Sequence, residues 1–132
     1  MITIKGIIET AYVKDYFTSI VIVQSDGYKI DLLNRMEEYV FNYGKKVTIR
    51  YWIASRKESD AKVKKGFLHK LMGNINIEFE KEDYQYSEYT SGTDYNTIFD
   101  ISGHSLYGEL LGQQGKYLIL EIDFADQAKK SK

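Results

Sequence analysis

Apolar and polar positions alternate along most of this chain, and each alternating stretch predicts a strand. Ile2, Ile4, Gly6 and Ile8 alternate with Thr3, Lys5 and Ile7, an opening strand. Residues 15–17 read as a loop. Two β-rich runs then flank Asp26-Gly27, a pair that tolerates positive φ and signals a tight hairpin, so strands are expected near 18–24 and 28–33. The period changes at Asn34. Met36, Tyr39, Val40 and Tyr43 recur at helical spacing, with Asn34 as the expected N-cap, Glu37 in the capping-box position and Gly44 as the C-cap. Val47, Ile49, Tyr51 and Ile53 then alternate with Thr48, Arg50 and Trp52, a half-buried strand.

Residues 56–72 give a mixed pattern. Val63, Phe67 and Leu71 sit four apart, so a helix capped by Gly73 fits, although Gly66 in its interior costs about 1 kcal/mol relative to alanine. A loop with a hairpin at Lys65-Gly66 is the alternative. Alternation resumes with Ile75, Ile77 and Phe79 against Asn76, Glu78 and Glu80. A tyrosine-rich polar stretch, 84–95, follows, with a turn expected at Ser91-Gly92. Tyr95, Thr97, Phe99 and Ile101 share a face. Ser102 is the expected cap of a short helix that buries Leu106 and Leu110. The last strand, 116–124, is apolar on both faces, and the polar tail 126–132 is expected to be disordered.

Two segments, 30–53 and 99–124, follow one plan. Each opens on an apolar residue and an aspartate (Ile30-Asp31, Phe99-Asp100), passes through a leucine-bearing stretch to Gly-Lys (Gly44-Lys45, Gly115-Lys116), and ends in an alternating run. Duplication and convergent patterning account for this equally well. The elements do not alternate as βαβ, which favours antiparallel pairing. The expected fold is α+β and mainly β: a small antiparallel barrel-like sheet, closed or partly closed, with one to three short helices. Residues 1–125 would form one domain, with candidate half-modules 1–55 and 73–125.

Composition narrows the function classes. With 132 residues and a 43% apolar share, the chain can bury a core without metal or disulfide. It has no cysteine, which excludes thiolate zinc sites and cysteine nucleophiles. The N-terminus lacks the pattern of a signal peptide, and no apolar run reaches the length of a membrane span, so a soluble cytoplasmic protein is expected. Abundant Ile, Lys and Tyr with no proline fit an AT-rich genome, bacterial or phage.

Candidate chemistry is sparse. The two histidines, His69 and His104, fall in no metal-ligand spacing, and neither a metal nor a cofactor is expected. His104 with Asp100 or Glu109 could serve a small hydrolase; a locally hydrogen-bonded loop histidine is the simpler account. Glu78, Glu80 and Glu82 share one strand face, which reads as a solvated face or a guarded edge rather than a metal site. Asp31 and Asp100 read as helix-capping carboxylates.

Charge divides the middle of the chain. Arg56, Lys57, Lys62, Lys64, Lys65 and Lys70 make the connector basic, whereas Glu78, Glu80, Glu82, Asp83, Glu88 and Asp94 make the next segment acidic. Tyr84, Tyr86, Tyr89 and Tyr95 form an aromatic cluster suited to an interface. The leading expectation is a non-catalytic binding or accessory module that uses these tyrosines and the connector to recognise a protein partner or its own copy. The alternative is a single-stranded nucleic-acid binder of OB type, using Arg50 and the connector's Arg56, Lys57, Lys62, Lys64 and Lys65 beside Trp52. The sequence leans away from an enzyme.

Overall fold

A computed structural model describes residues 1–14 and 17–125. Residues 15, 16 and 126–132, to which most of the predicted first loop and the predicted tail belong, lie outside the described residues. Phe17, expected in that loop, instead opens a strand. The strands are β1 (Ile2–Lys14), β2 (Phe17–Val23), β3 (Lys29–Asp31), β4 (Lys46–Ala54), β5 (His69–Gln85), β6 (Ser91–Ile101), β7 (His104–Ser105) and β8 (Tyr117–Phe124). The helices are α1 (Leu32–Tyr43), α2 (Asp60–Val63) and α3 (Leu106–Leu111). The fold is therefore mainly antiparallel β with three short helices, as the patterning predicts.

One sheet takes the order β3-β2-β1-β8-β4-β5-β6-β7, with every pairing antiparallel. It is open, with β3 and β7 at its edges. It nevertheless curls, because β2 meets β6 although four strands separate them in the order. The Thr97 hydroxyl donates to the Thr18 carbonyl at 2.9 Å. The Phe17 ring stands edge-on to Phe79 and Tyr95, with centroids 5.4 and 5.2 Å away.

The curl encloses the main core. Leu32, Leu33 and Met36 of α1 and Leu106 and Leu110 of α3 are fully buried there, against Ile49, Phe99, Leu118, Leu120 and Ile122 of the sheet. A second core lies on the reverse face, where Val63 of α2 covers Trp52, Tyr117 and Ile119. β8 lies between the two cores, which explains why both of its faces are apolar.

Several local expectations shift, each for a physical reason. The N-cap of α1 is Asp31, whose carboxylate accepts the Asn34 N–H at 3.3 Å and the Ser19 hydroxyl at 2.6 Å. Starting the helix there, three residues before the expected Asn34, places Leu32 and Leu33 in the core. Gly44 closes α1 as expected, with φ 90°. The helix expected through Leu71 stops after one turn, since residues from His69 pair with β4 and leave Phe67 76% exposed. The β5–β6 turn is at 86–90, and Ser91-Gly92 lies inside β6, paired with Gln85 and Tyr84. Glycine suits that place because the Tyr86 ring lies over it, 2.8 Å from where a Cβ would be. Ser102-Gly103, with φ 48° and 84°, forms a two-residue turn between β6 and β7. The cap of α3 accordingly passes to Ser105, whose hydroxyl accepts the Gly108 N–H at 3.1 Å.

The strand order reads the same when the two halves are exchanged. β1-β2-β3-α1-β4 corresponds to β5-β6-β7-α3-β8, and each half passes its last strand to the other half's meander. Details agree. The Ile8 N–H donates to Lys116 O and the Ile75 N–H to Lys45 O, both at 2.9 Å. Gly44 and Gly115 enter β4 and β8 with φ 90° and 86°. Leu32 and Met36 correspond to Leu106 and Leu110. Asp31 therefore corresponds to Ser105 and not to Asp100, which lies in β6 opposite Asn76 and caps nothing.

Candidate functional site

The β5–β6 hairpin outgrows the sheet. β4 pairs with β5 only from His69 to Asn74, whereas β5 and β6 pair as far as Gln85 and Ser91. The segment beyond Phe79 and Tyr95 is a two-stranded ribbon. Among the described residues no third strand pairs with it and no element covers either face. A lone two-stranded ribbon is marginally stable in water. Six carboxylates (Glu78, Glu80, Glu82, Asp83, Glu88 and Asp94) face a single lysine, Lys81, and among the described residues none of these groups forms an ion pair. Glu82 lies directly opposite Asp94, a like-charge pair that disfavours the ladder.

Tyrosines mark the end of the ribbon. The Tyr84 hydroxyl donates to Asp94 at 2.6 Å, and that bond, with a further one to Tyr86, pushes its pKa upward. Tyr84 and Tyr86 meet edge to face at 4.8 Å, and Tyr89 at the tip is 92% exposed. Tyr95 lies apart from them, on the face that meets Phe17. The structure thus brings Tyr84 and Tyr86 into contact, leaves Tyr89 exposed at the tip and separates Tyr95.

Half of the basic connector's six cations are engaged within the chain. Lys64 reaches Glu121 at 2.5 Å and lies 5.3 Å over the Trp52 ring. Arg56 and Lys62 both approach Glu58, at 3.6 and 4.0 Å. Arg50 bonds Asp123 at 3.0 Å. Trp52 is buried beneath α2 and presents no open ring for a base to stack on. The adjoining concavity, about 440 Å³, sets Asp26, Glu58 and Asp60 against Lys5 and Lys57, a poor lining for phosphates. Among the described residues, Lys57, Lys65 and Lys70 have no ion-pair partner.

The two histidines converge on one carboxylate. Glu109 of α3 lies 2.9 Å from His104 Nε2 and 3.4 Å from His69 Nδ1. It also accepts a hydrogen bond from Tyr51, which is buried in β4. His69 stacks on Tyr51 at 4.6 Å, since the two are directly paired across β4 and β5. Burial and the bond to Glu109 together push the Tyr51 hydroxyl far up. At Glu109 burial works against the charge, but the bonds from Tyr51 and His104 and the two imidazoles outweigh it and hold the carboxyl below its ordinary value. The sequence offered Glu109 as a partner for His104 but gave no sign of His69 and Tyr51; the β4–β5 register alone supplies them.

Both imidazoles and the Tyr51 hydroxyl are directed at the one carboxylate. Among the described residues no serine or threonine hydroxyl is bonded to either imidazole, and concavities of about 270–440 Å³ elsewhere on the surface are lined by other residues. Ser105 is taken up in capping, and Ser102 accepts the Asn74 N–H. Among the described residues, no group of three or more histidines or carboxylates is arranged to hold a metal ion. No helix among them is long and apolar enough to cross a membrane.

Comparison with protein-family models, curated proteins and solved structures finds no match to this chain.

Proposed function

We propose that this protein is a non-catalytic binding module that grips a basic protein partner with the distal β5–β6 ribbon. The observation that carries this reading is the ribbon itself, a two-stranded arm with tyrosines at its end and no ion-paired carboxylate along it. Tyrosine supplies contact area at low entropic cost, and unpaired negative charge steers a positive partner. The nucleic-acid reading fares worse, because half of the connector's cations are paired with carboxylates, Trp52 is buried and the arm repels phosphate.

The test shortens the arm. Residues 83–93 are replaced by Asn-Gly, a turn suited to join the hydrogen-bonded pair Glu82 and Asp94. Full-length and shortened proteins are cross-linked in extracts of the source cell, and the captured chains are identified by mass spectrometry. Basic proteins should be captured by the intact arm and lost with the short one. The same captured set with both proteins overturns the reading. So does tight, salt-sensitive binding of a labelled oligonucleotide.

A further inference from the structure

The ribbon has two edges, and their backbone geometry differs in what it offers. The Ile75 N–H points towards β4, where it donates to Lys45 O. Backbone groups of successive residues in a strand point to opposite edges, so the N–H and C=O groups of Lys81 and Asp83 point the same way as those of Ile75. β4 does not extend that far, and no strand among the described residues takes its place. The hairpin end agrees with this parity: the Tyr86 N–H bonds Thr90 O, so even-numbered residues of β5 face β6. On β6 the outward groups near the tip are those of Ser91 and Thr93. Charge separates the two edges. β5 carries Glu78, Glu80, Glu82 and Asp83 along this stretch, whereas β6 carries Asp94 alone.

We infer that the β4-side edge of β5, at Lys81 and Asp83, accepts an extended segment of the partner as an added strand with lysine or arginine at alternate positions. This rests on the binding reading above and names the mode of contact. An added strand would satisfy backbone groups that the sheet leaves open and would lay its cations beside Glu80 and Glu82. A second copy of this chain is a poor occupant. Pairing β5 with β5 would set one row of carboxylates against another, the usual way in which an edge is guarded from its own kind.

The experiment uses the full chain and a synthetic peptide, Lys-Val-Lys-Thr-Lys-Val-Lys. Amide exchange is followed by NMR. The Lys81 and Asp83 amides should slow at least about tenfold at saturation, since exchange then reports the bound fraction. The Glu82 and Tyr84 amides, already facing β6, should change little. Lys81→Pro removes one outward N–H without touching the β5–β6 ladder, as proline is tolerated at such edge positions. It also removes the arm's one cation, so any purely electrostatic effect would tighten binding. Binding should instead weaken about fivefold or more, the equivalent of one lost hydrogen bond. Thr93→Pro, on the opposite edge, should bind as the parent does.

Unchanged exchange at Lys81 and Asp83 overturns the inference, as does equal affinity for Lys81→Pro. Equal affinity for a peptide of the same composition with its lysines in one block also overturns it, because charge alone then suffices. If those results coincide with arm-dependent capture of basic proteins, strand addition falls while the binding reading stands. If shortening the arm changes no capture, the binding reading itself falls.

Discussion

Gly73 offers a quantitative test of how tightly the two halves are built. It lies in β5 beneath the β6–β7 turn with φ 139°, and a Cβ added there would stand 1.6 Å from Ser102 Oγ and 2.8 Å from Ser102 Cβ. Gly73→Ala therefore meets two costs. The φ value strains an L-residue by about 1–3 kcal/mol. The collision is an overpacking of about 1–3 kcal/mol, because Ser102 can turn its hydroxyl away only by giving up the Asn74 N–H, and its Cβ stays in the way. The expected loss is about 2–6 kcal/mol. Ser102→Gly removes both colliding atoms and suits the φ of 48° at that turn. The double variant should then recover most of the collision cost and keep only the strain. Urea unfolding of the four proteins at constant m-value reads the coupling, expected at about 1–3 kcal/mol. Additivity within about 0.5 kcal/mol would refute the steric argument. Gly6, the corresponding glycine of β1, gives the contrasting case. Its Cβ would lie 2.4 Å from the Val23 carbonyl oxygen, a backbone atom, so no side-chain change should rescue Gly6→Ala.

Three further outcomes follow from the caps, from Glu109 and from Tyr51. Asp31→Ala and Ser105→Ala should each cost about 0.5–2 kcal/mol in urea unfolding, Asp31 the more because it also holds Ser19, while Asp100→Ala should stay within about 0.5 kcal/mol. A cost at Asp100 equal to that at Asp31 would contradict the correspondence of Asp31 with Ser105. Glu109 has a folded pKa below its ordinary value, so its stabilising contribution is complete above the unfolded pKa and disappears as pH falls through the folded one. The stability difference between the parent and Glu109→Gln should shrink as pH falls below about 4.5, where the carboxylate is protonated; a difference that persists undiminished to about pH 2 would exclude this account. Tyr51→Phe should cost about 1–3 kcal/mol, because it removes a donor to a charged acceptor.

Strand alternation was legible almost throughout, because period-two patterning depends on local burial alone. The apolar residues on both faces of 117–124 have their reason only in the topology, which sets β8 at the centre of the sheet between two cores. The strand order was not legible, since nothing local states that β8 separates β1 from β4. Cap positions slipped for a related reason. Asn34 and Ser102 are good capping residues, but the core's need for Leu32 and the two-residue turn at Ser102-Gly103 decide the matter from a distance. The repeat was visible at Gly44 and Gly115, where left-handed backbone enforces glycine, and misaligned at Asp100, where no such constraint acts. The tyrosine and glutamate segment drew attention on composition, yet its separation from the sheet follows only from where β4 ends. The convergence of His69 and His104 on Glu109 depends on three elements distant in sequence, so no spacing rule could reveal it.

The central position of β8 governs the order in which this molecule can be assembled. Until Tyr117–Phe124 is synthesised, β1-β2-β3 and β4-β5-β6-β7 are two separate sheets with the flanks of β1 and β4 open. Eight residues then bridge them and bring together the first strand and the fourth. Contacts of such long sequence separation close late and slowly, and two open flanks are exposed while the chain waits. The flanks of β1 and β4 thus lack their partner until the last described strand arrives, and the same eight residues cover both.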